Sequence, residues 1–148
     1  MSKRTDPCRK RPAEILADLL EGHRQAALEG PAQARKYLER VIDGNKSLPN
    51  ASKFFVYDLL AEACAKTGAE ERRDEAVAQA LHYLPFAQED APRECKAYLP
   101  EIRCFERGIA AAVDGGEFEQ ALTLCEQAVA LGLGRAYEAK AQSIRRLV

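Results

Sequence analysis

The chain has 148 residues, of which 47% are hydrophobic and 30% are charged, with a formal net charge of −1 at pH 7. This length suits about one globular domain with its own core, and the composition is ordinary for a soluble protein. A near-neutral charge argues against a nucleic-acid-binding protein, which usually carries a basic excess. No apolar run in the sequence reaches the roughly 18–20 residues of a membrane span, so we expect no membrane partner.

The first eleven residues form a basic stretch that contains Lys3, Arg4, Arg9, Lys10 and Arg11. No apolar segment follows, so the sequence does not predict a secretory signal peptide. We expect residues 1–11 to be a disordered, solvated tail, with an interaction arm for an acidic partner as the alternative. Residues 12–148 are then expected to form a single helical domain.

The remainder of the chain shows helical spacing of its apolar residues and no sustained alternation typical of strands. Glycines and prolines divide it, because they end helices, begin them or interrupt their hydrogen bonds. Pro85 is expected to close the fourth helix, residues 86–91 form a connection, and Pro100 either kinks or splits the fifth helix. The pattern predicts seven helices, at about 12–29, 31–43, 52–67, 69–84, 92–113, 117–131 and 135–147.

Five cysteines are present, and no two are separated by only two residues. Zinc sites usually show closely paired ligands, so this spacing does not predict a metal site. Cys64 and Cys125 lie on predicted core faces, and we expect reduced thiols that pack as small hydrophobic groups in a cytoplasmic protein.

The stretch around Gly116 carries the most specific pattern. Gly115 and Gly116 allow the chain to reverse, and Phe118, Ala121, Leu122, Cys125, Ala128 and Val129 then follow on one helical face. An earlier unit places Tyr57, Leu60 and Ala61 on its first helix, before a turn at Gly68. These residues resemble the turn, aromatic and small packing positions of the tetratricopeptide repeat (TPR), a helical hairpin of about 34 residues.

This resemblance implies an all-α fold of antiparallel hairpins, stacked as a short right-handed solenoid with the last helix as a cap. It further implies a non-catalytic scaffold, adaptor or chaperone-like module, because the first helix of each TPR unit lines a groove that receives a peptide or a helix. Carrying the groove positions over to this chain selects eight candidate partner-binding residues: Asp58, Glu62, Lys66, Arg103, Glu106, Arg107, Tyr137 and Lys140.

Several alternatives remain open at this stage. The two turns lie farther apart than one TPR period, so a compact helical bundle is the alternative architecture. A small helical-bundle enzyme or ligand-binding domain, with a pocket between helices, is the alternative function. A regulatory subunit whose basic tail touches nucleic acid is a third. No phosphate-binding glycine loop, zinc-protease motif or nucleophile elbow occurs, so we expect neither catalysis nor a cofactor.

Overall fold

The computed structural model describes residues 11–44 and 47–148, which are mostly helical and contain no β-strand. The all-α prediction is therefore confirmed for these residues, whereas the predicted tail, apart from Arg11, lies outside them. The described residues form eight α-helices and one 3-10 turn: α1 (Pro12–Leu28), α2 (Pro31–Gly44), α3 (Asn50–Thr67), α4 (Glu70–Asp90), α5 (Pro92–Tyr98), the 3-10 turn (Leu99–Glu101), α6 (Cys104–Asp114), α7 (Phe118–Ala130) and α8 (Arg135–Arg145).

Prolines begin three of these helices, at Pro12, Pro31 and Pro92, as predicted. Proline suits this position because its missing N–H would have no partner in the first helical turn. The two turn glycines also behave as predicted, since Gly68 has φ of 76° and Gly116 has φ of 74°. Most side chains are strained in this left-handed region, so glycine is the natural residue at both helix ends.

Helix α4 differs from its prediction, because it continues through Pro85 to Asp90 instead of ending at Leu84. Pro85 is exposed, and the apolar face continues past it from Leu84 to the fully buried Ala87. Packing of the last turns therefore offsets the hydrogen bond that Pro85 cannot donate. The predicted connection at 86–91 is wrong, since most of it belongs to the helix.

The predicted fifth helix is split near Pro100. Helix α5 ends at Tyr98, the 3-10 turn contains Pro100, and α6 begins only at Cys104. The backbone is extended at Ile102, with φ of −61° and ψ of 137°, which interrupts the helical path. This split accounts for the eighth helix and resolves the choice between a kink and a break.

Helix α3 occupies the centre of the packing, because it contacts α1, α2, α4 and α6. Its consecutive residues Phe54, Phe55 and Val56 are all fully buried. A helix with buried residues in sequence is covered on more than one side, unlike a surface helix with one apolar stripe. The buried apolar side chains form one continuous cluster that runs from Leu16 to Ile144.

Helices α6, α7 and α8 follow in packing order, each against the next. Ala121, Cys125 and Ala128 on α7 are fully buried, in agreement with the face predicted from their spacing. Helix α8 packs on α7 and buries Ala141 and Ile144. The small residues of α7 let neighbouring helices approach closely, which makes these positions sensitive to added volume.

The cysteines in the described part of the chain are buried and form no disulfides: Cys64, Cys95, Cys104 and Cys125. They pack as small apolar groups, as the sequence predicts, whereas Cys8 lies outside the described residues. No helix within residues 11–44 and 47–148 has the length and hydropathy needed to cross a membrane.

Candidate functional site

A buried carboxylate organises the connection between α5 and α6. Asp58 lies in the middle of α3 and is fully buried. It accepts a hydrogen bond from the Tyr98 hydroxyl at 2.6 Å, from the Cys104 N–H at 2.7 Å and from the Arg103 N–H at 3.1 Å. One side chain of α3 therefore holds both ends of residues 98–103, which we call the 98–103 segment.

The two backbone donors belong to the start of α6, where N–H groups have no partner inside the helix. A short polar side chain at the N-cap usually accepts one of these bonds, but Arg103 occupies that position and makes no cap with its side chain. Asp58 supplies the cap from a different helix. Burial raises the pKa of Asp58, while the hydrogen bonds from Tyr98, Cys104 and Arg103 act in the opposite direction.

Glu62 lies one helical turn after Asp58 and is surrounded by cations. Its Oε1 accepts a hydrogen bond from Arg107 Nε at 2.7 Å, while its Oε2 lies 3.5 Å from Lys66 Nζ and 3.9 Å from Arg103 Nε. Burial acts to raise the pKa of Glu62, but the bond from Arg107 and the three positive charges lower it overall. The cluster of Glu62, Lys66, Arg103 and Arg107 joins α3 to α6. It lies beside two surface depressions, which Arg103 lines on both sides.

The first depression has a volume of about 260 Å³ and lies between α1, α3 and the 98–103 segment, with the start of α2 at one side. Among its polar residues, His23 is half-buried, and burial together with the charge of Lys66 lowers the pKa of this histidine. The lining comprises His23, Ala27, Pro31, Ala34, Leu59, Glu62, Ala63, Lys66, Tyr98, Glu101 and Arg103.

The second depression has a volume of about 390 Å³ and lies between the 98–103 segment, α6 and the start of α8. Tyr137 packs edge-on against Phe105, with ring centroids 6.5 Å apart, and burial raises the pKa of Tyr137 to about 12. The lining comprises Lys96, Leu99, Pro100, Ile102, Arg103, Glu106, Leu131, Gly132, Leu133 and Tyr137.

The 98–103 segment borders both depressions, and Arg103 lines each of them. The backbone N–H of Arg103 donates to Asp58, while the Arg103 side chain is 39% exposed. The geometry therefore places a fixed ridge, with a positive charge, between two partly apolar hollows.

The eight sequence-predicted residues separate into distinct groups in the structure. Five line the depressions, and these are Glu62, Lys66, Arg103, Glu106 and Tyr137. Arg107 supports the site through Glu62 without lining either depression, and Lys140 is exposed away from both. Asp58 has no exposed surface, so it cannot touch a partner and instead positions the 98–103 segment.

Sequence reasoning missed several lining residues, including His23, Leu59, Glu101 and Leu133. His23 and Leu59 lie on helices whose spacing indicates burial but not which residues border a hollow. Glu101 and Leu133 lie in connections, where no periodicity applies. Only the proximity of Pro100 to the predicted groove residue Arg103 could have drawn attention to this connection.

The described residues contain no group of three or more His, Cys, Asp or Glu side chains that could hold a metal ion. Comparisons with protein-family models, with curated protein sequences and with solved structures give no match. The function must therefore be argued from Asp58, the 98–103 segment and the two depressions.

Proposed function

We propose that this protein is a non-catalytic protein–protein interaction module that binds a peptide segment or helix across the two depressions. The main support for the proposal is which helices supply the residues that line the two depressions. Four lining residues come from α3, one or two each come from α1, α2, α5, α6 and α8, and the others come from the 3-10 turn and the connections. Helices α4 and α7 contribute none. Apart from the two residues of α2, this division is the one expected if the first helix of each hairpin lines a groove.

The same packing supports a TPR-like stack as the architecture. Helices α1 and α2, α3 and α4, and α6 and α7 pack as successive pairs, while α3 also packs against α1 and α6. The turn glycines Gly68 and Gly116 lie between the two helices of their pairs. In this proposal α5 and the 3-10 turn are an insertion between the second and third pairs, and α8 is the cap.

The surface chemistry favours a peptide as the occupant. Both depressions combine apolar side chains, such as Leu59, Leu99 and Leu133, with charged groups such as Lys66 and Glu106. An apolar centre with a polar rim is the usual composition of a protein–protein interface. Free, buried thiols suit a reducing compartment, so the proposal places the interaction in the cytoplasm.

The alternative function, a small helical enzyme or ligand-binding domain, gains no specific support from this geometry. Asp58 is the buried carboxylate of the described residues, and both of its oxygens already accept structural hydrogen bonds. It therefore has no oxygen available for a substrate in this arrangement. The proposal keeps the protein in the class of non-catalytic modules.

Filling the depressions tests the proposal. Linear peptides selected from a display library against the full chain should lose affinity when Ala27→Trp fills the first depression or Glu106→Trp fills the second. Both positions are exposed and line their hollows. Ala17→Trp is a matched control, because Ala17 is exposed on the same helix as Ala27 and lines neither depression. Peptides that bind all three variants equally would contradict the proposal.

A further inference from the structure

A third pocket, with a volume of about 240 Å³, lies between the starts of α1 and α3 and the junction of α4 with α5. Two exposed carboxylates, Asp90 and Glu94, line it, and no basic side chain does. Neither side chain forms a hydrogen bond or an ion pair with any residue in the described part of the chain. Arg93 lies between them in the sequence, but it does not line the pocket or pair with either carboxylate. The pocket therefore carries an excess of negative charge.

Two other cations that adjoin the lining residues in the sequence are engaged elsewhere. Arg11, at the start of α1, donates from Nε to a Glu14 carboxylate oxygen at 3.2 Å. The ammonium group of Lys53, near the start of α3, lies 5.3 Å from the centre of the Tyr83 ring. The carboxylates of the third pocket therefore remain without a counter-ion among residues 11–44 and 47–148.

A buried hydroxyl in the same lining also lacks a partner. Ser52 is only 2% exposed, and its side chain forms no hydrogen bond to any other described residue. Most buried hydroxyl groups in folded proteins are hydrogen-bonded. Ser52 and Ala51 belong to the first turn of α3, where backbone N–H groups have no acceptor inside the helix and Pro49 adds no side-chain cap. This part of the lining therefore offers donors and needs an acceptor.

We propose that the third pocket binds a lysine or arginine residue within a partner peptide. Its positively charged head group pairs with Asp90 and Glu94, and its aliphatic stem packs on Pro12 and Leu16. A backbone carbonyl of the same peptide accepts a hydrogen bond from the Ser52 hydroxyl. A basic residue in a peptide combines a cation, an apolar stem and a carbonyl acceptor, so it matches each part of the lining.

Other occupants match only part of this lining. A free anion would suit the donors at the start of α3 but would be repelled by Asp90 and Glu94. A metal ion would suit the carboxylates, but the described residues contain no group of three or more His, Cys, Asp or Glu side chains to hold it. No residue lines both the third pocket and either depression, so this site is separate from the proposed groove.

The test uses as its parent protein the full chain with Ala27→Trp and Glu106→Trp, which close the two depressions. Linear peptides are selected against this parent from a display library. Each lysine or arginine of a selected peptide is then replaced in turn by glutamine, and affinities are measured by fluorescence polarisation. We expect one basic position whose replacement weakens binding about tenfold or more, as for a charge-assisted hydrogen bond.

Variants of the pocket identify the groups that receive this residue. Asp90→Asn with Glu94→Gln should weaken binding about tenfold, and combining this variant with the glutamine peptide should cost little more. Ser52→Ala removes a hydroxyl that has no partner in the free protein, so a loss of affinity of about threefold to tenfold reports its bond to the peptide. The matched control is Asp114→Asn with Glu119→Gln, which loses the same two charges at exposed positions outside the pocket and should bind like the parent.

Contrary outcomes overturn defined parts of this proposal. Selected peptides that need no basic residue, or that bind the Asp90→Asn and Glu94→Gln variant as tightly as the parent, would overturn the assignment of the pocket. A selection that yields no peptide would overturn it too, and the proposed function would still stand because both depressions are closed in the parent. An unchanged affinity for Ser52→Ala would remove Ser52 from the site.

Two competition experiments test the source of the basic residue. Free lysine or arginine that displaces the peptide at the peptide's own concentration would overturn the choice of a peptide. A parent chain with glutamine at four basic positions tests whether residues 1–10 occupy the pocket themselves. Binding that becomes about tenfold tighter in this chain would overturn the choice of an external partner. The four positions are Lys3, Arg4, Arg9 and Lys10.

Discussion

Replacing Asp58 with alanine removes the acceptor for Tyr98, Arg103 and Cys104 at once. Losing a helix cap costs about 0.5–2 kcal/mol, and leaving a buried donor without an acceptor costs about 1–3 kcal/mol. These costs overlap, because the capping N–H groups are the donors concerned. Removing the carboxylate also removes the free-energy cost of burying it, which is the cause of its raised pKa. This gain offsets part of the loss. We therefore expect a net loss of about 2–3 kcal/mol, compared with the roughly 5–15 kcal/mol typical of folded domains.

Urea unfolding followed by circular dichroism measures this loss. Asp58→Ala should lower the unfolding midpoint, and its slope should stay close to that of the wild type. Asp114→Ala is the matched control, since Asp114 is exposed at the end of α6, and its unfolding free energy should change by no more than about 0.5 kcal/mol. An equally small change for Asp58→Ala would refute the claim that Asp58 holds the 98–103 segment.

The pH dependence of this difference has a definite sign. The folded-state pKa of Asp58 is raised above its ordinary value of 3.8, so folding favours the protonated carboxyl. The stability that this preference contributes is present below the unfolded pKa and is lost as the pH rises through the folded pKa. The stability difference between wild type and Asp58→Ala should therefore be larger at pH 4 than at pH 8. A difference that grows with pH would mean that the hydrogen bonds outweigh burial.

Three further predictions concern helix packing. Gly22→Ala should cost about 1 kcal/mol, because a methyl group would overlap the Tyr37 ring and this outweighs the better helix propensity of alanine; thermal unfolding should show the penalty disappear in a Tyr37→Ala background. Ala121→Leu or Ala128→Leu should each cost about 1–3 kcal/mol by overpacking fully buried sites, and neutral urea midpoints for both would contradict the packing of α7. Deleting Arg135–Val148 should expose the face that α8 covers, so light scattering and thermal unfolding should show self-association or a lower melting temperature, whereas an unchanged monomer would exclude a capping role.

Most helices could be predicted because their apolar spacing and their glycine or proline ends agree. The error at Pro85 shows where one local signal was given too much weight. Ala80, Leu84 and Ala87 continue the apolar spacing of α4 across the proline, and all three are buried. The periodicity already indicated a longer helix, whereas proline as a helix breaker indicated a shorter one. Tertiary packing of Ala87 decided between them.

The role of Asp58 could not be assigned from its charge and spacing. An aspartate on a helix usually indicates a solvated face, but α3 is covered on several sides, as the burial of Phe54, Phe55 and Val56 shows. The run of apolar residues before Asp58 was a usable signal of that burial. Its partners at Tyr98 and Cys104 lie at least 40 positions away, and no local pattern connects residues at that distance.

The most direct test of the interaction-module account is a map of the peptide contact surface on the folded protein. Backbone amide chemical shifts of isotopically labelled full chain are recorded while the tightest selected peptide is added. The account predicts that the largest changes lie in residues 23–34, 59–66, 98–106 and 131–137, around the two depressions. Changes concentrated instead on α4 and α7, at residues 74–81 and 117–124, would contradict it.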